Sequence, residues 1–312
     1  THQKYVHTLK HQGSDADRLR TAMAMLVIDN SVDKVVQNLE AYGMLSSSVI
    51  VVHSDNGGVP CGDTENNMQG SNYPLRGGKF NYFEGGLRVP AMVFAPGYLT
   101  TDQKGTRYAG LMHHVDLYTT FMAIAEIEVN HDEMVLDGFD HWDAIRGLAP
   151  SPRNEIVFNI NQVFNNVDYG FENASIAYRY GDMKLLMFHA NDTWYDEAGF
   201  ITYSSTGSDQ CVERSCSTSE RYVSAWKDNL CGWGHFLFNI TADPTESVNL
   251  YYEPKYQREL DRLKEKVKNH HRNGYWQSKN WQYSASHAAM TEFYNHDNYV
   301  VPWNCPLAAS EN

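Results

Sequence analysis

The sequence predicts an α/β sheet domain followed by a small antiparallel sheet with one covering helix, and three observations carry that expectation. A stretch with helical periodicity, residues 15–42, leads into the β-branched segment 48–53. That segment ends in Ser54-Asp55-Asn56-Gly57-Gly58, a polar turn at the place where open α/β sheets keep their ligands. Beyond Leu148-Ala149-Pro150-Ser151-Pro152 the texture changes to short strand-like segments closed by a charged helix.

In the first stretch Met25, Ile28, Val32, Val35, Val36 and Leu39 recur at three and four, the period of one helix face, and Gly43 ends it. Ser48-Val49-Ile50-Val51-Val52-His53 is long enough for a strand buried on both faces, and a helix followed by such a strand suggests a parallel sheet. A long Gly- and Asn-rich loop follows, then a strand at 89–94 and an amphipathic helix at 116–127. The two prolines near 150 mark a domain boundary, dividing the chain into 1–149 and 150–312. Past it, 155–160, 175–180, 184–189 and 236–240 read as strands of an antiparallel sheet, and 254–270 as its helix.

Composition narrows the function. The 312 residues are 42% apolar, enough for a sizeable core, with 20 Tyr and 7 Trp. A formal net charge of −13 argues against a general nucleic-acid binder, so an anionic ligand would need a local positive site. No stretch approaches the roughly 18 uninterrupted apolar residues of a membrane span. Thr1-His2-Gln3-Lys4 has no signal-peptide pattern and no Met precedes it, so the polypeptide is expected to begin upstream. No two of Cys61, Cys211, Cys216, Cys231 and Cys305 have Cys-x-x-Cys spacing, which argues against a thiolate metal site. Cys211 is open to pairing with Cys216, and either of them with Cys231. Glycosylation sequons at Asn173, Asn191 and Asn239, with the four downstream cysteines, favour a secreted or lysosomal setting.

Two segments carry chemistry. Asp55 and Asn56 offer a carboxylate and an amide oxygen side by side, hard ligands suited to Ca²⁺ or Mg²⁺, and the same tripeptide with Gly57 is also good turn chemistry. The loop Asn72-Tyr73-Pro74-Leu75-Arg76-Gly77-Gly78-Lys79, continuing through Glu84-Gly85-Gly86-Leu87-Arg88-Val89-Pro90, holds cations on a backbone able to fold tightly. Lys79 could grip a sulfate or phosphate oxygen and steady a leaving group, or be a solvated surface lysine. His53 reads as a core residue, and Asp116, after His113 and His114, as a helix cap.

The Ser-Asp-Asn-Gly-Gly turn followed by Pro-Leu-Arg-Gly-x-Lys and Glu-Gly-Gly-x-Arg-Val-Pro resembles the arylsulfatase pattern in order and spacing. Leu136-Asp137-Gly138-Phe139-Asp140, Ser151-Pro152-Arg153, Gly181-x-x-Lys184-Leu185-Leu186, and Leu237-Phe238-Asn239 with Asp243-Pro244-Thr245-Glu246 extend the likeness to about residue 270. They look most like the N-acetylgalactosamine-4-sulfatase (arylsulfatase B) branch. The resemblance implies the C-terminal part of an alkaline-phosphatase-like sulfatase domain. It also implies that Asp55 and Asn56 are ligands to one Ca²⁺, and that Lys79 is catalytic and contacts sulfate. Arg76 and Glu84 would brace the loop.

Family members attack with a formylglycine made from the Cys of Cys-x-Pro-Ser-Arg, and none of the five cysteines begins that motif. The paired aspartates that complete the calcium site and a second sulfate-binding Lys are likewise absent. The resemblance therefore implies sulfate-ester hydrolysis by a longer protein, on an aryl or carbohydrate sulfate, with this chain alone inactive. A truncated, non-catalytic binder of sulfated sugars and a superfamily phosphoesterase are the alternatives.

Overall fold

A computed structural model describes residues 16–59, 70–79, 81–128, 136–161, 163–164, 167–168, 174–190 and 233–272. All of these lie in one compact unit, Thr1–Tyr275. The cysteines and the sequons at Asn173 and Asn191 lie outside the described residues.

Helix α1 (Ala16–Ala41) realises the first periodic stretch. Gly43, at φ 68°, adopts the left-handed conformation that lets the Met44 N–H reach back to the Leu39 carbonyl at 2.7 Å and close the helix. The expected apolar face is only partly covered. Val32, Val36 and Leu39 are half-buried, whereas Met25, Ile28 and Val35 are exposed.

Strand β1 (Ile50–His53) pairs antiparallel with β2 (Ala91–Phe94), Ile50 opposite Phe94 and His53 opposite Ala91. This corrects the expectation of a parallel neighbour buried on both faces. Only one turn of helix, α2 (Glu84–Leu87), stands in the described part of their connection. Helix α3 (Asp116–Ile124) and the single turn α4 (Trp142–Ile145) follow.

The second half is as expected, a four-stranded antiparallel sheet. Its strands are β3 (Glu155–Asn161), β6 (Ser175–Tyr180), β7 (Met183–Ala190) and β8 (Trp233–Asn239), in spatial order β3-β6-β7-β8. A separate ribbon pairs β4 (Val163–Phe164) with β5 (Val167–Asp168). Period-2 alternation gives the large sheet two working faces. Ile176, Tyr178, Leu185 and Leu237 pack on one side against Leu260, Leu263 and Val267 of helix α5 (Gln257–Arg272), whose spacing of three and four makes one stripe. Ala177, Leu186, Phe236 and Phe238 pack on the other side against Phe83, which belongs to the loop before β2. The sheet is thus filled between a helix and the loop that carries the Arg-Gly-Gly-Lys segment.

Candidate active site

The Asp55-Asn56 turn begins one residue past β1. The Ser54 hydroxyl donates to the Asn56 carbonyl at 2.7 Å, and the Asn56 N–H donates to Asp55 Oδ1 at 2.8 Å, so the turn is closed by its own side chains. Asp55 itself is exposed and Asn56 half-buried. The turn presses on the second glycine pair: Gly57 N–H donates to the Gly86 carbonyl at 3.0 Å, and a Cβ at Gly57 would fall 1.7 Å from the Gly85 oxygen. Gly85 is as constrained, since a Cβ there would lie 2.4 Å from the carbonyl oxygens of Arg76 and Gly77.

Lys79 is brought to the same place through its backbone, with its N–H donating to the Gly58 carbonyl at 3.0 Å. Asn72 clamps the two segments: its Oδ1 accepts from Gly58 N–H at 2.8 Å, and its Nδ2 donates to the carbonyls of Gly58 at 2.9 Å and Gly77 at 3.1 Å. The Lys79 side chain is exposed. The segment carrying Lys79 is therefore joined through its backbone to the residues just after Asp55 and Asn56.

Beside this junction lie the bracing residues. Arg76 is buried, stacks over the Phe83 ring at 4.1 Å, and donates from Nη1 to the Glu246 carbonyl at 3.1 Å. Glu84 Oε1 lies 2.8 Å from Lys184 Nζ, in agreement with a bracing role. Burial alone would push the Glu84 carboxyl up, but the Lys184 ammonium and the nearby Arg179 hold it below its ordinary value. His189 accepts the Tyr82 N–H at its Nε2. Sequence reasoning assigned no role to Lys184, Glu246, Asn72 or His189. The one available signal was a lysine standing at an apolar-period position inside Met183-Lys184-Leu185-Leu186.

Two expectations are corrected. His53 is exposed, not a core residue; its ring sits 4.8 Å from that of His114 because β1 ends at the surface there. Asp116 is not the cap of α3, whose N-cap position is Val115. Its fully buried carboxylate turns away from the helix, accepting the N–H groups of His113 at 2.7 Å and Phe139 at 2.8 Å and the Arg153 Nε at 2.8 Å, with His141 Nε2 at 3.2 Å. Burial would raise its pKa, but His141, Arg153 and the two backbone donors hold it well below the usual carboxylate range.

The hard oxygen donors of Asp55 and Asn56 suit Ca²⁺, yet they make only part of a coordination shell. No group of three or more His, Cys, Asp or Glu able to hold a metal occurs among the described residues. Asn239, the third sequon, is half-buried at the end of β8, with Oδ1 accepting the Ala242 N–H at 3.0 Å.

The described unit, helices with antiparallel sheets and a glycine-braced lysine loop beside the turn past β1, has an alkaline-phosphatase-like sulfatase fold. The solved structure of the sulfatase PsFucS1 from Pseudoalteromonas sp. shares this fold, with a TM-score of 0.51 and 23% identity over 81% of this chain and 42% of that one. Residues 3–127 match the sulfatase family model. Arylsulfatase J of Mus musculus is 33% identical over 243 residues, covering 75% of this chain and 37% of that protein. N-acetylgalactosamine-6-sulfatase of Mus musculus is 26% identical, covering 82% and 44%. The chain belongs to the sulfatase family, and it spans less than half the length of these relatives.

Proposed function

We propose that this chain supplies the calcium-bearing and lysine-bearing part of a sulfatase that hydrolyses aryl or carbohydrate sulfate esters. The observation that supports the reading is the bond from Lys79 N–H to the Gly58 carbonyl, which joins the lysine's backbone to the residue two past Asn56. Asp55 and Asn56 would hold Ca²⁺, which when bound offsets charge on sulfate oxygens. Lys79 contacts the sulfate and steadies the leaving oxygen as negative charge develops on it. The formylglycine nucleophile implied by the family lies outside this sequence, so the isolated chain is without turnover. In this reading residues 1–149 belong to the catalytic α/β domain and 150–312 to the C-terminal subdomain and tail.

An N-acetylgalactosamine-4-sulfate type of substrate, one of the sugars the family handles, is the finer form of this proposal. A secreted or lysosomal glycoprotein is its setting; no helix among the described residues is long and apolar enough to cross a membrane.

In the intact enzyme containing this chain, Lys79→Ala is expected to lower kcat roughly 10²–10³-fold, the scale of losing one charge-stabilising donor. Asp55→Ala is expected to abolish turnover and calcium retention together, read by elemental analysis after dialysis. Unchanged kinetics in the first variant, or full calcium occupancy in the second, would remove that residue from the site.

A further inference from the structure

Lys184 is a lysine placed where the sheet pattern calls for an apolar residue. It shares the face of β7 that carries Leu186, is fully buried, and lies 2.8 Å from Glu84 Oε1 and 2.8 Å from Glu246 Oε1. Glu84 comes from the loop before β2, 100 residues upstream in sequence, and Glu246 from the segment after β8. Arg179, on the neighbouring strand β6, approaches Glu84 at 3.9 Å. Burying such a group is rarely the most stable solution, since apolar residues of similar volume often do as well or better. A cluster of this kind earns its place through the geometry it sets.

Glu246 shows that geometry being enforced. Its φ is 55°, a left-handed conformation unfavourable for a residue with a Cβ, and it is fully buried. Three contacts hold it there: Arg76 Nη1 on its carbonyl at 3.1 Å, Glu84 N–H on Oε2 at 2.6 Å, and Lys184 on Oε1. Burial pushes the Glu246 carboxyl up, the Lys184 ammonium opposing and the Glu84 charge adding to it.

The clamped residue Glu84 opens the α2 turn, and its two successors touch the site. Gly85 N–H donates to the Arg76 carbonyl at 2.7 Å, and the Gly86 carbonyl accepts Gly57 N–H at 3.0 Å, one residue past Asn56. With no Cβ on these glycines, a displacement of α2 passes directly into the backbone of the Asp55-Asn56 turn and of the Arg76–Lys79 segment.

We propose that Lys184, through Glu84 and Glu246, is a positioning residue that sets where the Asp55-Asn56 turn and Lys79 stand, latching the sulfate-contacting loop to the C-terminal sheet. The proposal rests on reading Asp55 and Lys79 as the site. Lys184 touches no substrate and acts only through the loop.

The test is amide hydrogen exchange in the intact enzyme containing this chain, comparing Glu246→Gln with Leu263→Ala. Glu246→Gln keeps the side chain's shape and an acceptor for Glu84 N–H but removes one charge facing Lys184. Leu263→Ala weakens the opposite face of the same sheet without touching the latch. Exchange across residues 76–87 is expected to rise about tenfold in Glu246→Gln, with β6 and β7 unchanged, as for a local opening. Leu263→Ala leaves 76–87 protected relative to the sheet. In the same Glu246→Gln enzyme kcat falls while KM holds. Arg76→Lys, which keeps charge but not the guanidinium fork, gives the same pattern and serves if Glu246→Gln does not fold. Unchanged exchange in 76–87, or equal acceleration there by Leu263→Ala, overturns the latch. If the loop loosens as expected but Lys79→Ala turns over normally, the latch stands as a structural link and the assignment of Lys79 falls.

Discussion

The two ends of the described fold use apolar residues in opposite ways. In the C-terminal sheet Ile176, Tyr178, Leu185, Leu237 and Phe238 are all completely buried, because α5 covers one face and the Phe83 loop the other. In the N-terminal elements Ile28 and Val35 of α1 are about half exposed, at 51% each, and Met92 of β2 at 50%. Periodicity states which side of an element is apolar; burial requires a second surface, and among the described residues the C-terminal sheet has one on each face, α5 and the Phe83 loop. The Asp55-Asn56 turn follows β1 on the poorly covered side, and the proposed latch would hold it from the well-covered one through Lys184.

That contrast can be broken by experiment, most strongly at the latch itself. Lys184→Met leaves Glu84 and Glu246 buried without their shared cation and is expected to cost about 3–5 kcal/mol in urea unfolding; a change under about 1 kcal/mol would mean the pair finds water or another cation. Leu263→Ala, in the covered core, should cost about 2–5 kcal/mol, read from the denaturation midpoint at unchanged slope. A smaller loss would show that α5 collapses onto the vacancy.

Acid sharpens the comparison at the junction, where Arg153 reaches from the start of β3 to the buried Asp116 of α3. The folded-state pKa of Asp116 is depressed, so its stabilisation is present above the ordinary carboxylate range and is lost as pH falls through the folded value. Asp116→Asn should therefore destabilise at neutral pH and flatten the acid limb of stability against pH; an unchanged acid limb would assign it to other carboxylates. The smallest effect is expected for Ile28→Ala on α1, within about 0.5 kcal/mol. A cost comparable to Leu263→Ala would show that the α1 face is covered in solution.

Much of the candidate site was legible because its chemistry is local. Asp55, Asn56 and the glycines behind them form a turn that any folded context would preserve, and Lys79 lies in a loop whose composition is unusual by itself. His53 departs from the expected core position because β1 reaches the surface at its last residue. Asp116 departs from the expected cap because, although a carboxylate at a helix start has a ready local use, its actual partners Phe139, His141 and Arg153 arrive from 23 to 37 residues away.

What the sequence alone determined, then, is what depends on neighbours within a turn or two: the period of α1 and α5, the alternation of β6, β7 and β8, the Asp-Asn-Gly turn, and the order of motifs that mark the family. Tertiary structure decided the antiparallel pairing of β1, the exposure of α1, and the joining of Lys184 to Glu84 and Glu246. The reason is physical. Backbone periodicity orients a side chain relative to its own element, but the cost of burying a charge is set by which opposite charge reaches it, and that partner is chosen only when distant segments pack.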